Sequence, residues 1–255
     1  EPYHRRPVTA SYDAIVIGSG MGGLTAAALL ATQARRRVLV LERHYVPGGF
    51  THTFRRPGYE WDVGVHYIGD VQPGRMLRAL FDEITDAKLE WEDMGEVYDR
   101  AFLGDFRFDF PRGESALRER LHAAFPSERA AIERYFELVH EAVSAMHDFL
   151  ATRAYPRLVA AVLKPLARRR FFRLSDRTTR EVLESLTKDQ RLIGVLTAQF
   201  GDYGLPPSES SFVMHALVAQ HYFGGASYPV GGAGRIAETI VPVIRAAAGD
   251  VLTNA

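Results

Sequence analysis

The apolar positions of this chain change their spacing three times along its length. Residues 13 to 18, Asp-Ala-Ile-Val-Ile-Gly, form a β-branched run closed by glycine, the pattern of a buried parallel strand. An Ala- and Leu-rich segment from Met21 to Thr32 predicts a helix, and Val38 to Leu41 is a second apolar run. The opening is therefore β-α-β, right-handed by the crossover rule. Beyond Glu42 the pattern becomes irregular, with Pro47-Gly48-Gly49 and Pro57-Gly58 as punctuation. Alternation returns between Ala101 and Phe110 around Gly104-Asp105, with Phe106, Phe108 and Phe110 on one face, which predicts an antiparallel hairpin. From Gly113 to about Tyr222 apolar residues recur at spacings of three and four, as in Ile132, Tyr135, Phe136 and Val139, and predict a mostly helical region. Pro206-Pro207-Ser208 interrupts it and offers an N-cap for a helix carrying Phe212 and Leu217. A last helix, Arg235 to Ala248, runs into a Val251-Leu252 strand.

Composition narrows the classes. At 255 residues and 47% hydrophobic content, the chain can form one large domain or two interleaved ones. Its 31 basic and 31 acidic residues cancel, so no global field draws it to nucleic acid, and no such partner is expected. The absence of cysteine excludes disulfides, thiolate catalysis and Cys-ligated metal. No H-E-x-x-H pattern occurs, and His215 and His221 do not share a helix face, so no metal site is expected. Ala14 to Ala34 is uncharged and of membrane-spanning length, but Gly18, Gly20, Gly22 and Gly23 interrupt it, and strand, turn and helix explain it better. Glu1 to Ser11 lacks the apolar segment of a secretory leader, so a cytoplasmic place, or a peripheral one on the cytoplasmic face of a membrane, is expected. Residues 153–177 hold eight Arg or Lys against one acid, Asp176, interleaved with aliphatic side chains. Such a stretch is either a peripheral docking surface for anionic lipid or a solvated helix face.

The chemistry begins at Gly18-Ser-Gly20-Met21-Gly22-Gly23, which follows a predicted strand and opens a predicted helix. Gly18 makes the tight turn, Gly20 lets backbone approach a pyrophosphate, and Gly23 lets helix and strand pack closely. The phosphates then rest on free N–H groups at the helix N-terminus. Glu42, 19 residues beyond Gly23 and next to Arg43, is placed to accept hydrogen bonds from adenosine ribose hydroxyls. The turn into the second strand carries Arg35, Arg36 and Arg37 where a glycine is usual. The signature alone leaves FAD and NAD open.

The residues after Glu42 separate the two cofactors. Gly48-Gly49, Thr53, Gly58 and Asp62-Val-Gly64 resemble the second nucleotide-contact stretch of the amine oxidase, phytoene desaturase and GDP-dissociation-inhibitor superfamily. Amine oxidases commonly have arginine after the paired glycines, whereas this chain has Phe50. The runs Gly48-Gly-Phe-Thr-His52-Thr-Phe54, Asp62-Val-Gly-Val-His66-Tyr67-Ile-Gly69, Tyr203-Gly-Leu-Pro206-Pro-Ser208, Ser211-Phe-Val-Met-His215, His221-Tyr222, Tyr228-Pro229 and Gly231-Gly232 are similar, in the same order, to the retinol saturase, phytoene desaturase and carotenoid isomerase family.

That resemblance spans about Tyr12 to Ala255, and it implies an α/β fold: a Rossmann-like FAD-binding domain of the glutathione-reductase and amine-oxidase type with an interleaved α+β substrate domain. It implies FAD-binding segments at 1–70 and 226–255 around a substrate or cap region at 71–225. Expected cofactor contacts are Gly18, Gly20, Met21, Gly22, Gly23, Glu42, Arg43, Gly48, Gly49, Thr53 and Gly64. His66 and Tyr67, just past the turn that approaches the flavin in relatives, are the candidate catalytic residues, against the reading of a hydrogen-bonded structural histidine. The implied activity is FAD-dependent redox chemistry on carbon-carbon double bonds of a retinoid, carotenoid or related isoprenoid, with NAD or NADP as a candidate electron partner. The alternatives are a non-catalytic isoprenoid or prenyl-protein binder and an amine-oxidase-like flavoenzyme. Family members are longer, so the chain is expected to be C-terminally incomplete, with apolar surface such as the Val251-Leu252 strand left open.

Overall fold

The computed structural model describes residues 2–5 and 11–255, so most of the stretch 1–11 lies outside the described residues. The chain divides into two compact units, Glu1–Met94 with Ala226–Ala255, and Gly95–Gly225.

The first unit opens with β1 (Ala14–Ile17), α1 (Met21–Thr32) and β2 (Val38–Leu41), the predicted β-α-β. β1 and β2 pair in parallel, Ala14 beside Val38 through Ile17 beside Leu41. The stretch expected to be irregular after Glu42 contains a hairpin, β3 (Thr53–Arg56) and β4 (Tyr59–Asp62), turning at Pro57-Gly58. Its side chains hide it from the hydrophobic pattern. Phe54, Tyr59 and Trp61 stack on one another while Arg55 and Glu60 pair, and most of these side chains are exposed, so no buried face imposes alternation. α2 (Met76–Thr85) and β5 (Trp91–Asp93) follow. Residues 71–94 were expected in the cap region, but they belong to this unit. The reason is packing: Phe81 and Ile84 of α2 are buried in the same apolar cluster as Leu24, Ala27 and Ala28 of α1.

The second unit begins with the predicted hairpin, β6 (Val97–Leu103) and β7 (Phe106–Pro111), whose two-residue turn needs the positive φ of Gly104. Phe108 and Phe110 are buried and Phe106 half-buried, as alternation demands. Six helices follow: α3 (Glu114–Ala124), α4 (Arg129–Ala151), α5 (Arg157–Ser175), α6 (Thr179–Leu186), α7 (Gln190–Leu196) and α8 (Phe212–His221). α4 buries Ile132, Tyr135, Phe136, Val139, Ala142 and Val143, the three-and-four spacing read in the sequence. The cap of α8 is Ser211 rather than Ser208: its Oγ accepts from Val213 N at 3.3 Å. Ser211 is held extended beside the start of α6, with Thr179 N bonded to Ser210 O and Phe212 N to Arg177 O, so the helix begins only at Phe212.

Returning to the first unit, β8 (Ser227–Pro229) pairs antiparallel with β5, and α9 (Gly234–Ala246) leads to β9 (Asp250–Leu252). β9 pairs in parallel with β2, giving the sheet order β1-β2-β9. α1, α2 and α9 cover one face, where Val38, Val40 and Val251 meet Ile236, Ile240 and Ile244. The expectation of an open Val251-Leu252 strand is corrected, since both side chains are buried. The open apolar positions are Ile15 and Ile17 on the other face of β1, 62% and 89% exposed.

At the centre of the second unit His215 is buried between two phenols, with Tyr135 Oη 2.9 Å from Nε2 and Tyr203 Oη 3.3 Å from Nδ1. Burial pushes its imidazole down to about 4, and it also pushes the Tyr135 phenol up. His215 is therefore neutral in the folded state but protonates in the unfolded chain near 6.5. A folded pKa below the unfolded one makes the stabilisation complete above about pH 6.5 and removes it as pH falls towards 4. We expect the loss to approach roughly 3 kcal/mol, from the size of the shift. Thermal melts of wild type and His215→Gln between pH 7 and 4.5 check this: the variant's midpoint should fall less steeply, and parallel curves would reject it.

Candidate nucleotide-binding site

The end of β1, the start of α1 and the end of β2 converge on one buried hydroxyl. Ser19, fully buried, donates from its backbone N–H and from Oγ to Glu42 Oε2, at 2.7 and 2.6 Å. Its Oγ accepts from Gly48 N at 3.2 Å, and its carbonyl from the same N–H at 3.0 Å. One serine thus ties the glycine fingerprint, the acidic residue of β2 and the paired glycines together. Sequence reasoning singled out its neighbours and passed over Ser19, because a small residue between two glycines carries no pattern.

Glu42 is held by a further bond, His44 N to Oε1 at 2.7 Å. Burial pushes its carboxyl up, but the bonds from Ser19 and His44 and the nearby His44 charge outweigh it and hold the group below the usual carboxylate range. Three of a carboxylate's roughly four acceptor positions are filled from within the chain, which leaves about one for a ligand hydroxyl. Arg43 is exposed on the turn beside it.

The glycines fall into two kinds. A Cβ on Gly23 would lie 2.1 Å from Gly18 O, and one on Gly49 would lie 2.9 Å from Gly20 Cα. These two are glycine because the protein's own backbone fills the space. Gly20 is different: its φ of −65° and ψ of 174° suit any residue, and a Cβ there meets no protein atom within 4 Å. A Cβ at Gly18, whose φ is +94°, or at Gly22 likewise meets no protein atom within 4 Å. No side chain caps α1, so the N–H groups of its first turn face that space without an acceptor from a capping residue. Met21 packs its side chain on the core and offers the site its backbone. A diphosphate fits this donor set, being anionic, needing backbone N–H groups, and requiring room where a side chain would stand.

The remaining candidates divide. Gly48, buried at a φ of +120°, lies with Gly49 against the fingerprint, backed by Ala237 of α9. Thr53 commits its hydroxyl to Glu60 across the hairpin, at 2.9 Å. Gly64 makes room for Phe50, whose Cβ would lie 3.0 Å from a side chain at 64. Asp62 accepts from Tyr228 Oη and from Ala233 N, the latter at 3.0 Å, so it joins the β4 end to the loop that opens α9. His66 is exposed and stacks edge-on with Tyr67, centroids 4.8 Å apart. His215 is a core histidine in the second unit, and no cluster of metal-binding side chains occurs among the described residues.

Fold and site together define a Rossmann-like dinucleotide-binding domain of the flavin oxidoreductase type. The model of an NAD(P)-binding Rossmann-like domain matches residues 16–84. The zebrafish all-trans-retinol 13,14-reductase is 38% identical over 97% of this chain and 42% of its own length. A second zebrafish protein, an inactive all-trans-retinol 13,14-reductase, is 32% identical over 99% of the chain and 43% of its own. Prolycopene isomerase 1 of an Oncidium hybrid is 27% identical over 90% and 40%. Among solved structures, a putrescine oxidase with bound putrescine superposes with a TM-score of 0.61 at 18% identity, covering 95% of this chain and 51% of its own. A Rab GDI from Plasmodium falciparum gives 0.52 at 16% identity, covering 95% and 57%. These two likenesses are of fold alone. The chain belongs to the retinol saturase and carotenoid isomerase family of FAD-dependent oxidoreductases, and it spans about two-fifths of the length of the curated relatives it matches.

The two kinds of glycine predict opposite failures. Gly20→Val should fold with a melting temperature near wild type yet lose FAD. Gly23→Val should unfold at a clearly lower temperature, because its side chain must displace the Gly18 carbonyl. Calorimetry beside flavin absorbance of each purified variant checks both, and a yellow Gly20→Val protein would move the phosphate site elsewhere.

Proposed function

We propose that the whole protein is an FAD-dependent enzyme acting on carbon-carbon double bonds of a polyene, a retinoid, carotenoid or related isoprenoid. The observation that carries this reading is the open space at Gly20 beside the Ser19-fixed carboxylate of Glu42. Flavin bound here would supply the hydride chemistry. The chain's own residues bind and orient it. Gly18, Gly20, Met21, Gly22 and Gly23 present backbone donors to the diphosphate, while Glu42 accepts from one ribose hydroxyl. Arg43, Gly48, Gly49, Thr53 and Gly64 complete the cofactor surroundings in this reading, the last two by shaping the hairpin and its neighbour Phe50. His66 and Tyr67 are the proposed residues of the reacting face, where the histidine would exchange a proton with solvent. The unit Gly95–Gly225 is proposed as the substrate domain. Names of relatives support the substrate class, one being a retinol reductase and another a prolycopene isomerase.

The binding-protein alternative rests on the Rab GDI likeness in fold, and the amine-oxidase alternative on the putrescine oxidase. An arginine after Gly48-Gly49 would favour the latter, and this chain has Phe50.

Purified full-length protein should carry a flavin spectrum that bleaches under anaerobic reduction and recovers on adding a retinoid or carotenoid acceptor. Bleaching by a simple amine instead, or a colourless protein that still binds prenylated peptide, would overturn the reading. Glu42→Gln should weaken FAD by roughly 1.5–3 kcal/mol for the lost charged hydrogen bond. It should also lower the melting temperature of the apoprotein, since an amide nitrogen cannot accept from Ser19 or His44. Titration with FAD and a parallel melt separate the two effects, and unchanged affinity would remove Glu42 from the site.

A further inference from the structure

The helical unit exposes, on one helix, the kind of surface that globular domains normally bury. The first turns of α5 and the residues leading into it stand in solvent: 153–159 and 161–166 are all exposed. Leu158, Val159, Val162, Leu163 and Leu166 lie among them, with Leu158, Val162 and Leu166 at 86%, 75% and 70% exposure. At about 100° per residue these five share an arc roughly 140° wide. Arg157, Lys164 and Arg168 fall on the opposite arc. Only Ala167 and Leu174, in the second half of the helix, are buried.

The basic residues of this stretch divide accordingly. Arg170 and Arg173 are ion-paired with Asp148 and Glu141 of α4, and Arg168 stacks on Phe172 with its guanidinium 5.4 Å from the ring centroid. The two ion pairs brace the second half of α5 against α4, and the Arg168 contact lies within α5 itself. Arg157, Lys164 and Arg169 have no carboxylate partner among the described residues; the first two lie on the polar arc, and Arg169 stands within the aliphatic arc beside Val162.

We propose that the first half of α5 is a lipid-docking helix that lies in the interface of an anionic membrane. Its aliphatic arc enters the boundary between headgroups and acyl chains while Arg157, Lys164 and Arg169 reach the lipid phosphates. The sign of the charge selects this occupant. An uncharged apolar partner would leave the cations without counter-charge, and a second copy of the same helix would bring like charges together. Depth is set by the length of the aliphatic side chains, since no helix among the described residues is long and apolar enough to cross a membrane. Such contact goes beyond the redox reading and does not depend on it, because vesicle binding and flavin reduction are separate readouts.

The test is cosedimentation of the full-length protein with phosphatidylcholine vesicles, with and without phosphatidylserine. Binding should require phosphatidylserine and weaken with salt. Combined Arg157→Gln, Lys164→Gln and Arg169→Gln should weaken it on the order of a hundredfold. Combined Leu158→Gln, Val162→Gln and Leu166→Gln should weaken it more than about tenfold. Both triple variants alter exposed positions and should keep the wild-type melting temperature and flavin spectrum. Binding that ignores phosphatidylserine and salt, or that survives either triple variant, would overturn the proposal. So would a dimer in gel filtration that the aliphatic variant dissociates without any vesicle binding, which would assign the arc to a second copy.

Discussion

Everything in the nucleotide half depends on the hydrogen bonds that a buried serine makes with a carboxylate. Ser19 follows β1 and Glu42 follows β2, so their two bonds fix the ends of adjacent parallel strands relative to each other. Bonds to an ionised acceptor are shorter and stronger than neutral ones, and at 2.6 and 2.7 Å these are of that kind. The hydroxyl also accepts from Gly48 N, which sets the third wall of the site from a loop 29 residues away. Only a small side chain that donates and accepts at once can do this between two glycines. The carboxylate gains as much as it gives: without the donors from Ser19 and His44, burial would raise its pKa and weaken its charge.

That junction gives the glycine pattern its meaning. A motif of repeated glycines is compatible with a loop shaped by crowding and with a loop shaped for a ligand, and the two differ only in what occupies the missing side chain's volume. At Gly23 and Gly49 the occupant is backbone of the same loop, so these residues draw α1 and the paired glycines onto the fingerprint. At Gly20 the volume is open, although its backbone angles would suit any residue. Helix α1 begins at that opening without a capping side chain, so its first N–H groups are directed there. An open volume at the uncapped start of a helix suits an anion.

How much of this is legible from residues alone depends on the range of each interaction. β1, α1 and β2 were legible because each is a continuous run whose apolar period and boundary glycine are local. The β6–β7 hairpin was legible for the same reason, its two-residue turn and phenylalanine alternation lying within ten residues. The β3–β4 hairpin was not, since its aromatic and charged side chains stack across strands in solvent and leave no buried face to be counted. Residues 71–94 were misplaced because α2 declares its allegiance only through Phe81 and Ile84, whose partners lie on α1 and α9. Ser19 was missed for a related reason. Its function consists of four hydrogen bonds to Glu42 and Gly48, residues far along the chain, and a single serine cannot announce them.

The helical unit shows the same limit from the other side. In the sequence, His215 stood only as a histidine within a family-like motif, and the 153–177 run was either a docking surface or a solvated face. Three-dimensional neighbours give each its place. His215 is sealed between Tyr135 and Tyr203; one phenol donates to the bare nitrogen of the neutral ring and both can accept from the charged one, so the cost of charging it comes from desolvation. A group so placed holds the core of the unit together and is poorly suited to exchanging protons with a substrate. α5 inverts this arrangement, leaving five aliphatic side chains in water beside unpaired cations while its other arginines are used internally. Exposed apolar surface of this continuity is costly to maintain in solution unless it is covered in use. In one small unit, then, the polar residue is structural and the apolar residues face outward, and only the packing of α4, α5 and α8 distinguishes them.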